Sequence, residues 1–217
     1  GVPECQSESG ASEQEGVFFT NCYANSFRTD RGTVCTFSGY QSFPTVSVMK
    51  SPAKSRTLPS IAEKLREQGY ATDFLYGGDI NFTNMKSYLL GSGYQHLTAD
   101  VDFSINERKN PWGVNDDITF EYLYRQIKER NTDQPWHTAF LTLSSHEPFE
   151  VPYHRLKEKI PNAFAFTDDC LGKFIDKLKA LLNGKTCLSS ACQTMASIIQ
   201  KKDWCTTRVS IIFRCCG

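Results

Sequence analysis

The sequence predicts an α/β fold with a mainly parallel central sheet flanked by helices. Strand-like and helix-like segments alternate between Gly16 and Leu181, which is typical of such sheets. Two short apolar runs in this region end in polar turns, as buried parallel strands do. No internal repeat or low-complexity linker interrupts it, so residues 16–181 of the 217 are predicted to form one domain.

The first predicted elements are a helix and a strand. Apolar side chains recur at helical spacing over residues 58–65, with Thr57 as the expected cap, Pro59 in the first turn and Gly69 at the end. Residues 71–76 then form a short strand that stops at two glycines.

Two helices and another strand follow. Helical spacing predicts a helix over residues 120–131 and a longer one over residues 163–181. Between them, the compact apolar run from Thr138 to Leu143 predicts a buried strand.

Charge and hydrophobicity exclude several classes of protein. The chain has 24 basic and 24 acidic residues and a net charge of zero, without a basic stripe, so we expect no nucleic-acid partner. No apolar run approaches the roughly 20 residues of a transmembrane helix, so contact with a membrane would need segments that are absent here.

A first candidate site lies in the segment from Ser26 to Thr33. Thr29 stands between Arg28 and Arg31, and a glycine follows. Guanidinium groups bind phosphate or sulfate oxygens in a bidentate manner, and a threonine hydroxyl becomes a nucleophile when a metal or base activates it. The alternative is an ordinary polar loop.

A second candidate is His146, which follows the predicted strand at residues 138–143. Ligands of open α/β sheets bind beyond the carboxyl ends of the strands, where an imidazole could donate to an oxyanion or a leaving group. The alternative is a histidine that only caps the strand end. Ser144 and Ser145 precede it, but no nucleophile elbow accompanies them.

Two polar loops supply candidate substrate-binding residues. Asp79 and Asn84 follow the strand at residues 71–76 and could bind hydroxyl groups, and Trp112 could provide a flat wall for a glycerol or a sugar. Alternatively, Asp79 caps a helix and Trp112 packs in the core.

Six motifs taken in order resemble the lipoteichoic-acid-synthase-like phosphoglycerol transferases of the sulfatase and alkaline phosphatase superfamily. The resemblance covers roughly residues 15–180. The motifs are Phe-Arg-Thr-Asp-Arg-Gly, Ser-Gly-Tyr-Gln-Ser-Phe-Pro-Thr, Leu-Pro-Ser-Ile-Ala, Tyr-Gly-Gly-Asp, Trp-Gly-Val-Asn-Asp and Leu-Ser-Ser-His-Glu-Pro-Phe. An alkaline phosphatase/sulfatase-like sandwich, present in part, is the fold that this resemblance implies.

The resemblance also implies a chemistry. Thr29 matches the nucleophile and a metal ligand, with Thr33 as the fallback; Arg28 or Arg31 matches an oxyanion partner, and His146 a donor to the phosphoryl group. The implied cofactor is a divalent metal (Mn, Mg, Zn or Ca), and the implied substrate is a phosphoglycerol- or sulfate-bearing lipid or glycan. Such enzymes work in the cell envelope, outside the cytoplasmic membrane, behind membrane helices.

The chain departs from the family pattern in two ways. Residues 29–33 do not match the Cys-x-Pro-x-Arg pattern of true sulfatases, so phosphoryl transfer is favoured over sulfate-ester hydrolysis. The family's metal carboxylates are missing, so we expect this chain to bind no metal and to be inactive as written. A non-catalytic fragment that binds glycans or polyanions is the alternative.

Both ends of the chain lack the pattern of the middle. Several codons can specify most residues after Leu182. When such codons are read in another frame, they can encode Leu-Pro-Asp-His-Gly, and the codons of Met195 and Ala196 leave no choice but glycine at its last position. A different frame before Glu15 allows Asn-Leu-Glu-Arg-Leu. We therefore predict that residues 1–15 and 182–217 are out-of-frame translations or disordered tails. Six of the nine cysteines lie in these two segments.

Overall fold

A five-stranded sheet organises the part of the chain that the structure, a computed structural model, describes: residues 23–130, 134–182, 187–199 and 203–215. The strands are β1 (Ala71–Tyr76), β2 (His96–Thr98), β3 (Trp136–Leu141), β4 (Cys187–Ile199) and β5 (Asp203–Cys215). Their order in the sheet is β2-β1-β3-β5-β4.

Six α-helices accompany the sheet in the described residues. They are α1 (Thr29–Ser38), α2 (Pro52–Ser55), α3 (Ile61–Glu67), α4 (Met85–Gly91), α5 (Asp116–Glu129) and α6 (Lys159–Leu182). Short 3₁₀ turns lie at Val48–Lys50, Phe82–Asn84, Asp100–Asp102 and Ile105–Glu107.

The parallel part of the sheet confirms the predicted fold class. β1 pairs in parallel with both β2 and β3. In contrast, β5 pairs antiparallel with β3 and with β4. β4 and β5 lie in the segment for which an out-of-frame or disordered tail is predicted. Their pairing does not bear on the reading frame, so out-of-frame translation of residues 182–217 stays a prediction. Residues 1–15 lie outside the described residues.

Side chains alternate across the sheet and create two cores. Phe74 and Tyr76 of β1 face one side, and Leu75 between them faces the other, because successive strand side chains point to opposite faces. The first core includes Val34, Phe37, Met85, Leu89, Ala139 and Leu141, and the second includes Phe120, Leu123, Phe140, Phe174 and Leu178. Helices therefore cover both faces, as the sequence predicts for a parallel sheet.

The start of helix α3 differs from the prediction. Ser60, not Thr57, is its N-cap, and the Ser60 hydroxyl accepts a hydrogen bond from the backbone N–H of Glu63 at 3.0 Å. The hydroxyl of Thr57 instead donates to the carbonyl of Lys54 in the preceding turn. Both residues are good caps by type, so the sequence pattern could not separate them.

Two buried tyrosines make the fold sensitive to alkaline pH. Burial raises the pKa of Tyr88 and of Tyr94 above the ordinary value of 10.0. The unfolded chain therefore loses these protons at a lower pH than the folded chain does. The stabilisation is complete below about pH 10 and is lost as the pH rises toward the folded-state pKa values.

We expect the free energy of unfolding to fall above pH 10 by about 1.4 kcal/mol per pH unit for each of these tyrosines. Urea unfolding at several pH values between 9 and 11.5 measures the slope. Tyr88→Phe removes one of the two ionisations and should give a shallower slope, although it also loses the hydrogen bond to Ser38 at 2.7 Å. Equal slopes for the two proteins would contradict the expectation.

Candidate active site

Three strand ends meet at one edge of the sheet. In the parallel registers, Tyr76 at the end of β1 is paired with Leu141, and Leu75 is paired with Thr98 at the end of β2. Polar residues follow each strand at this edge, where α/β proteins commonly bind ligands. Asp79 follows β1, Asp100 follows β2 and His146 follows β3.

A cavity of about 700 Å³ opens at this edge. Its charged lining residues are Arg28, Asp30, Asp79, Asp100, Arg108 and His146, and its aromatic ones are Phe27, Tyr76, Phe82 and Trp112. Thr29 also lines it, together with Met85 and the loop at residues 110–113. Polar groups of both signs thus face aromatic rings in one site.

Thr29 is the first residue of helix α1, and Arg28 precedes it in an extended conformation. The backbone N–H of Arg28 donates to the hydroxyl of Ser26 at 3.2 Å, which holds the entry to the helix. The Nε of Arg28 lies 3.6 Å from a carboxylate oxygen of Asp30. The Asp30 side chain is 4% exposed and the Arg28 side chain 48%, so the guanidinium group is accessible from the cavity.

His146 and Trp112 form one wall of the cavity. Their rings meet edge to face with centroids 5.3 Å apart. The carbonyl of Glu147 accepts a hydrogen bond from Nε1 of Trp112 and lies 2.7 Å from Nδ1 of His146. A carbonyl oxygen only accepts, so Nδ1 carries the hydrogen in this contact.

The Trp112 loop is fixed to the end of β1 through glycines. Gly113 pairs with Gly78 in an isolated bridge, and the N–H of Val114 donates to the carbonyl of Gly77 at 2.8 Å. Gly113 has a φ of +139°, and a Cβ added there would lie 2.0 Å from the Gly77 carbonyl oxygen. Only glycine allows this close approach.

Comparison with protein families assigns the chain to a family. A family model described as Sulfatase matches residues 3–188. The chain belongs to the Sulfatase family. This result confirms the superfamily that the sequence motifs indicate.

The relatives of this Sulfatase-family chain include phosphoglycerol transferases. It is 24% identical over 198 residues to phosphoglycerol transferase I of Escherichia coli (strain 55989 / EAEC), and 23% identical to that of Citrobacter koseri (strain ATCC BAA-895 / CDC 4225-83 / SGSC4696). Each match covers 82% of this chain but 26% of the relative, so the chain spans about a quarter of the length of these proteins.

Solved structures show the same fold. A protein of the alkaline phosphatase superfamily from Vibrio parahaemolyticus superposes with a TM-score of 0.79 at 24% identity, over 97% of this chain and 54% of that one. The lipoteichoic acid synthase LtaP of Listeria monocytogenes gives 0.80 at 15% identity, over 96% and 59%. The C-terminal periplasmic domain of EcEptC from Escherichia coli, in complex with Zn, gives 0.65 at 12%, over 98% and 66%.

The cavity of the Sulfatase-family chain brings together five of the eight residues that the sequence singles out. They are Arg28, Thr29, Asp79, Trp112 and His146. Trp112 is 49% exposed, so the alternative that it packs in the core is wrong. A carboxylate oxygen of Asp79 accepts from the backbone and side-chain nitrogens of Asn81 at 2.8 and 3.1 Å, just ahead of a 3₁₀ turn.

Arg31 and Asn84 do not line this cavity. The guanidinium group of Arg31 donates to the carbonyl of Pro44 and lies over the ring of Phe27. The side-chain amide of Asn84 points to the carbonyl of Lys50 at 3.4 Å. Thr33, the alternative nucleophile, is 1% exposed and also does not line the cavity.

Sequence reasoning did not single out three charged residues of the cavity: Asp30, Asp100 and Arg108. Asp100 follows β2, which has only three residues and gives too short a pattern to recognise. Arg108 is held over the loop because Nε and Nη2 donate to the carbonyl of Phe103 at 3.2 and 2.9 Å. The only available signal was its place shortly before Trp112.

The metal ligands that the resemblance implies are the remaining question at this site. No group of three or more His, Cys, Asp or Glu side chains within the described residues could hold an ion. The described residues thus do not complete the metal site that the resemblance implies. No helix among them is long and apolar enough to cross a membrane.

Proposed function

We propose that the cavity is the phosphoryl-binding site of a phosphoglycerol transferase or phosphodiester hydrolase, with Thr29 as the nucleophile of the intact enzyme. The observation that carries the proposal is that Thr29, Arg28 and His146 line one cavity at the carboxyl edge of the sheet. Motifs far apart in the sequence therefore come together as a phosphoryl-transfer site requires.

The anion would bind between Arg28 and the start of helix α1. The N-terminus of a helix carries free N–H groups and a partial positive charge, both of which favour a phosphate. Arg28 adds a full positive charge, and Arg108 supplies a second one on the lining of the same cavity. The phosphorus atom would then lie beside the Thr29 hydroxyl, which would attack it as a base takes up the hydroxyl proton and the bond to the leaving alcohol breaks.

His146 is proposed as the donor to the phosphoryl group or to the leaving oxygen. Because Nδ1 is committed to the Glu147 carbonyl, Nε2 can donate only in the imidazolium form.

The remaining cavity suits a polyol such as glycerol. Trp112 gives a flat apolar wall, and Asp79 can accept hydrogen bonds from hydroxyl groups. Asn84 lies outside the cavity, so it would affect the substrate only indirectly, through the 3₁₀ turn Phe82–Asn84. Phosphoglycerol transferase I is the name of the sequence relatives, which supports a phosphoglycerol group rather than a sulfate ester.

We also propose that the parent enzyme works in the cell envelope with a divalent metal. A structural neighbour is a periplasmic domain in complex with Zn, which supports both parts. The described residues do not complete a metal site, so the binding roles above rest on the chain's own residues, whereas attack by the Thr29 hydroxyl needs a metal or a base to activate it. We expect the chain as written to bind phosphoglycerol without turning it over.

Titration calorimetry with glycerol 1-phosphate tests the site, and turnover of a chromogenic phosphodiester with Mn²⁺ tests the expected inactivity. Arg28→Gln should weaken binding by roughly tenfold or more, because a hydrogen bond to a charged group is lost. Arg31→Gln is the matched control and should bind within about twofold of the unmodified chain.

Each outcome separates the candidate functions. Equal loss in both arginine variants, or no binding at all, would contradict the proposed site. Tighter binding of sulfate or of a glycan than of glycerol phosphate would favour the sulfatase or the non-catalytic alternative. Turnover that Thr29→Ala abolishes would support the enzyme and overturn the expected inactivity.

A further inference from the structure

Asp116 is a buried carboxylate that joins three elements behind the cavity. It lies in the first turn of α5 and is fully buried. One carboxylate oxygen accepts from the N–H of Leu143 at 2.8 Å; the other accepts from the N–H of Ser144 at 3.2 Å and from the Thr167 hydroxyl at 2.7 Å. In return, the N–H of Asp116 donates to the Ser144 hydroxyl at 2.8 Å.

The buried Asp116 carboxyl has a structural role, because its charge is stabilised by the hydrogen bonds that it accepts. Burial raises the pKa of the Asp116 carboxyl, and the hydrogen bonds from Leu143, Thr167 and Ser144 oppose the shift. Asp116 does not line the cavity, so it does not contact a substrate there. Any effect on the reaction must pass through the residues that it holds.

The held segment leads directly to His146. Leu143 and Ser144 are the residues whose amides Asp116 binds, and the N–H of His146 donates back to the Leu143 carbonyl at 3.1 Å. The hydrogen bonds from the Leu143 and Ser144 amides to the Asp116 carboxylate form a clamp. This clamp fixes the turn from which the imidazole of His146 projects into the cavity.

Asp116 also directly follows the Trp112 loop in the chain. Asn115, the residue before it, accepts a hydrogen bond from the Asn110 side chain at 3.2 Å. Both loops then meet at the Glu147 carbonyl, which accepts from Trp112 and contacts Nδ1 of His146. Asp116 therefore holds the His146 turn through hydrogen bonds and is joined to the Trp112 loop through the chain.

We propose that Asp116 is a positioning residue that aligns the His146 turn with the Trp112 loop and so holds His146 in the tautomer with hydrogen on Nδ1. In phosphoryl transfer, Nε2 would then be the ring nitrogen that acts on the phosphoryl group. The consequence for phosphoryl transfer rests on the proposed function, but the alignment itself does not.

An asparagine cannot replace this carboxylate. Both carboxylate oxygens face backbone N–H groups, of Leu143 and of Ser144, and neither N–H can reverse its polarity. The side-chain NH₂ of Asp116→Asn must therefore oppose one of them, whichever way the amide is turned. The variant keeps the size of the side chain and loses half of the clamp.

Nitrogen-15 NMR of the histidine rings tests the proposal in the full chain without substrate. At a pH where imidazole is neutral, unmodified His146 should show the Nδ1–H pattern. In Asp116→Asn, its signals should move toward the Nε2–H form that free imidazole favours. His146→Ala identifies these signals among the four histidines. Thr167→Val, which keeps both backbone hydrogen bonds, is the control and should leave them unchanged.

A folded Asp116→Asn variant that retains the Nδ1–H pattern would overturn the proposal. If that variant does not fold, amide exchange in the unmodified chain decides. Slow exchange of the Leu143 and Ser144 amides supports the clamp, and exchange at the rate of an open loop overturns it. Neither readout needs turnover or ligand, so failure to bind glycerol phosphate would count against the proposed function and not against this alignment.

Discussion

Thr29→Ala is expected to lower turnover by roughly 10⁴-fold or more in an enzyme whose terminal reading frames have been restored. The hydroxyl at the start of α1 is the only proposed bond-forming atom, and the variant removes it while Arg28 and His146 stay in place. Binding of glycerol phosphate should therefore change little. Single-turnover kinetics with a chromogenic phosphodiester and calorimetry measure the two effects separately.

Thr33→Val is the matched control for this experiment. The Thr33 hydroxyl is buried and, within the part of the chain that the structure describes, has no hydrogen-bond partner. Replacing it by a methyl group of the same shape should leave turnover intact and keep or slightly raise the stability. Loss of turnover in Thr33→Val with retention in Thr29→Ala would reverse the assignment of the nucleophile.

Resequencing of the gene tests the reading-frame hypothesis on which the restored enzyme depends. An intact single frame through the codons of Glu15 and Leu182, with no alternative that matches the family motifs, would refute it. The predicted division at residues 15 and 182 would then have no genetic basis, although the roles proposed for the cavity residues would stand.

Gly113→Ala is expected to destabilise the fold by roughly 3–5 kcal/mol and to abolish binding of glycerol phosphate. The added Cβ would overlap the Gly77 carbonyl oxygen, and the φ of +139° is unfavourable for alanine. Relief of both requires the Trp112 loop to leave the end of β1. Urea unfolding and calorimetry at a temperature where the variant is folded measure the two losses.

Gly39→Ala provides the control for backbone strain alone. Gly39 ends helix α1 with a φ of +63°, and a Cβ there would meet nothing within 4 Å. The cost should be about 1 kcal/mol, without loss of binding. Similar costs for the two variants would show that the loop contact at Gly113 contributes nothing of its own.

The sequence predicts the sheet and the main site residues because local patterns encode them. Apolar runs ending in polar turns predict β1 and β3, and the rule that parallel strands bind ligands at their carboxyl ends places Asp79 and His146 together. The structure confirms this part of the fold. No strand was predicted after residue 182, because that segment shows no strand pattern, so neither β5 nor its antiparallel pairing with β3 was predicted.

Other features depend on contacts that a sequence pattern does not show. Arg28 and Arg31 are equivalent as residue types, and only the direction of helix α1 directs one to the cavity and the other to Pro44. Asp116 resembles an ordinary acidic residue in a first helical turn. Its clamp on Leu143 and Ser144 depends on the packing of α5 against the end of β3.

The parallel pairing of β1 with β3 also has a consequence for folding kinetics. Ala71 pairs with Trp136, so the two strands meet only after a long loop has closed. Asp79 and His146 lie on the chain just beyond these strands. Ligand binding should therefore appear only in the slow phase of refolding, and the rate at which binding is regained would report on strand pairing.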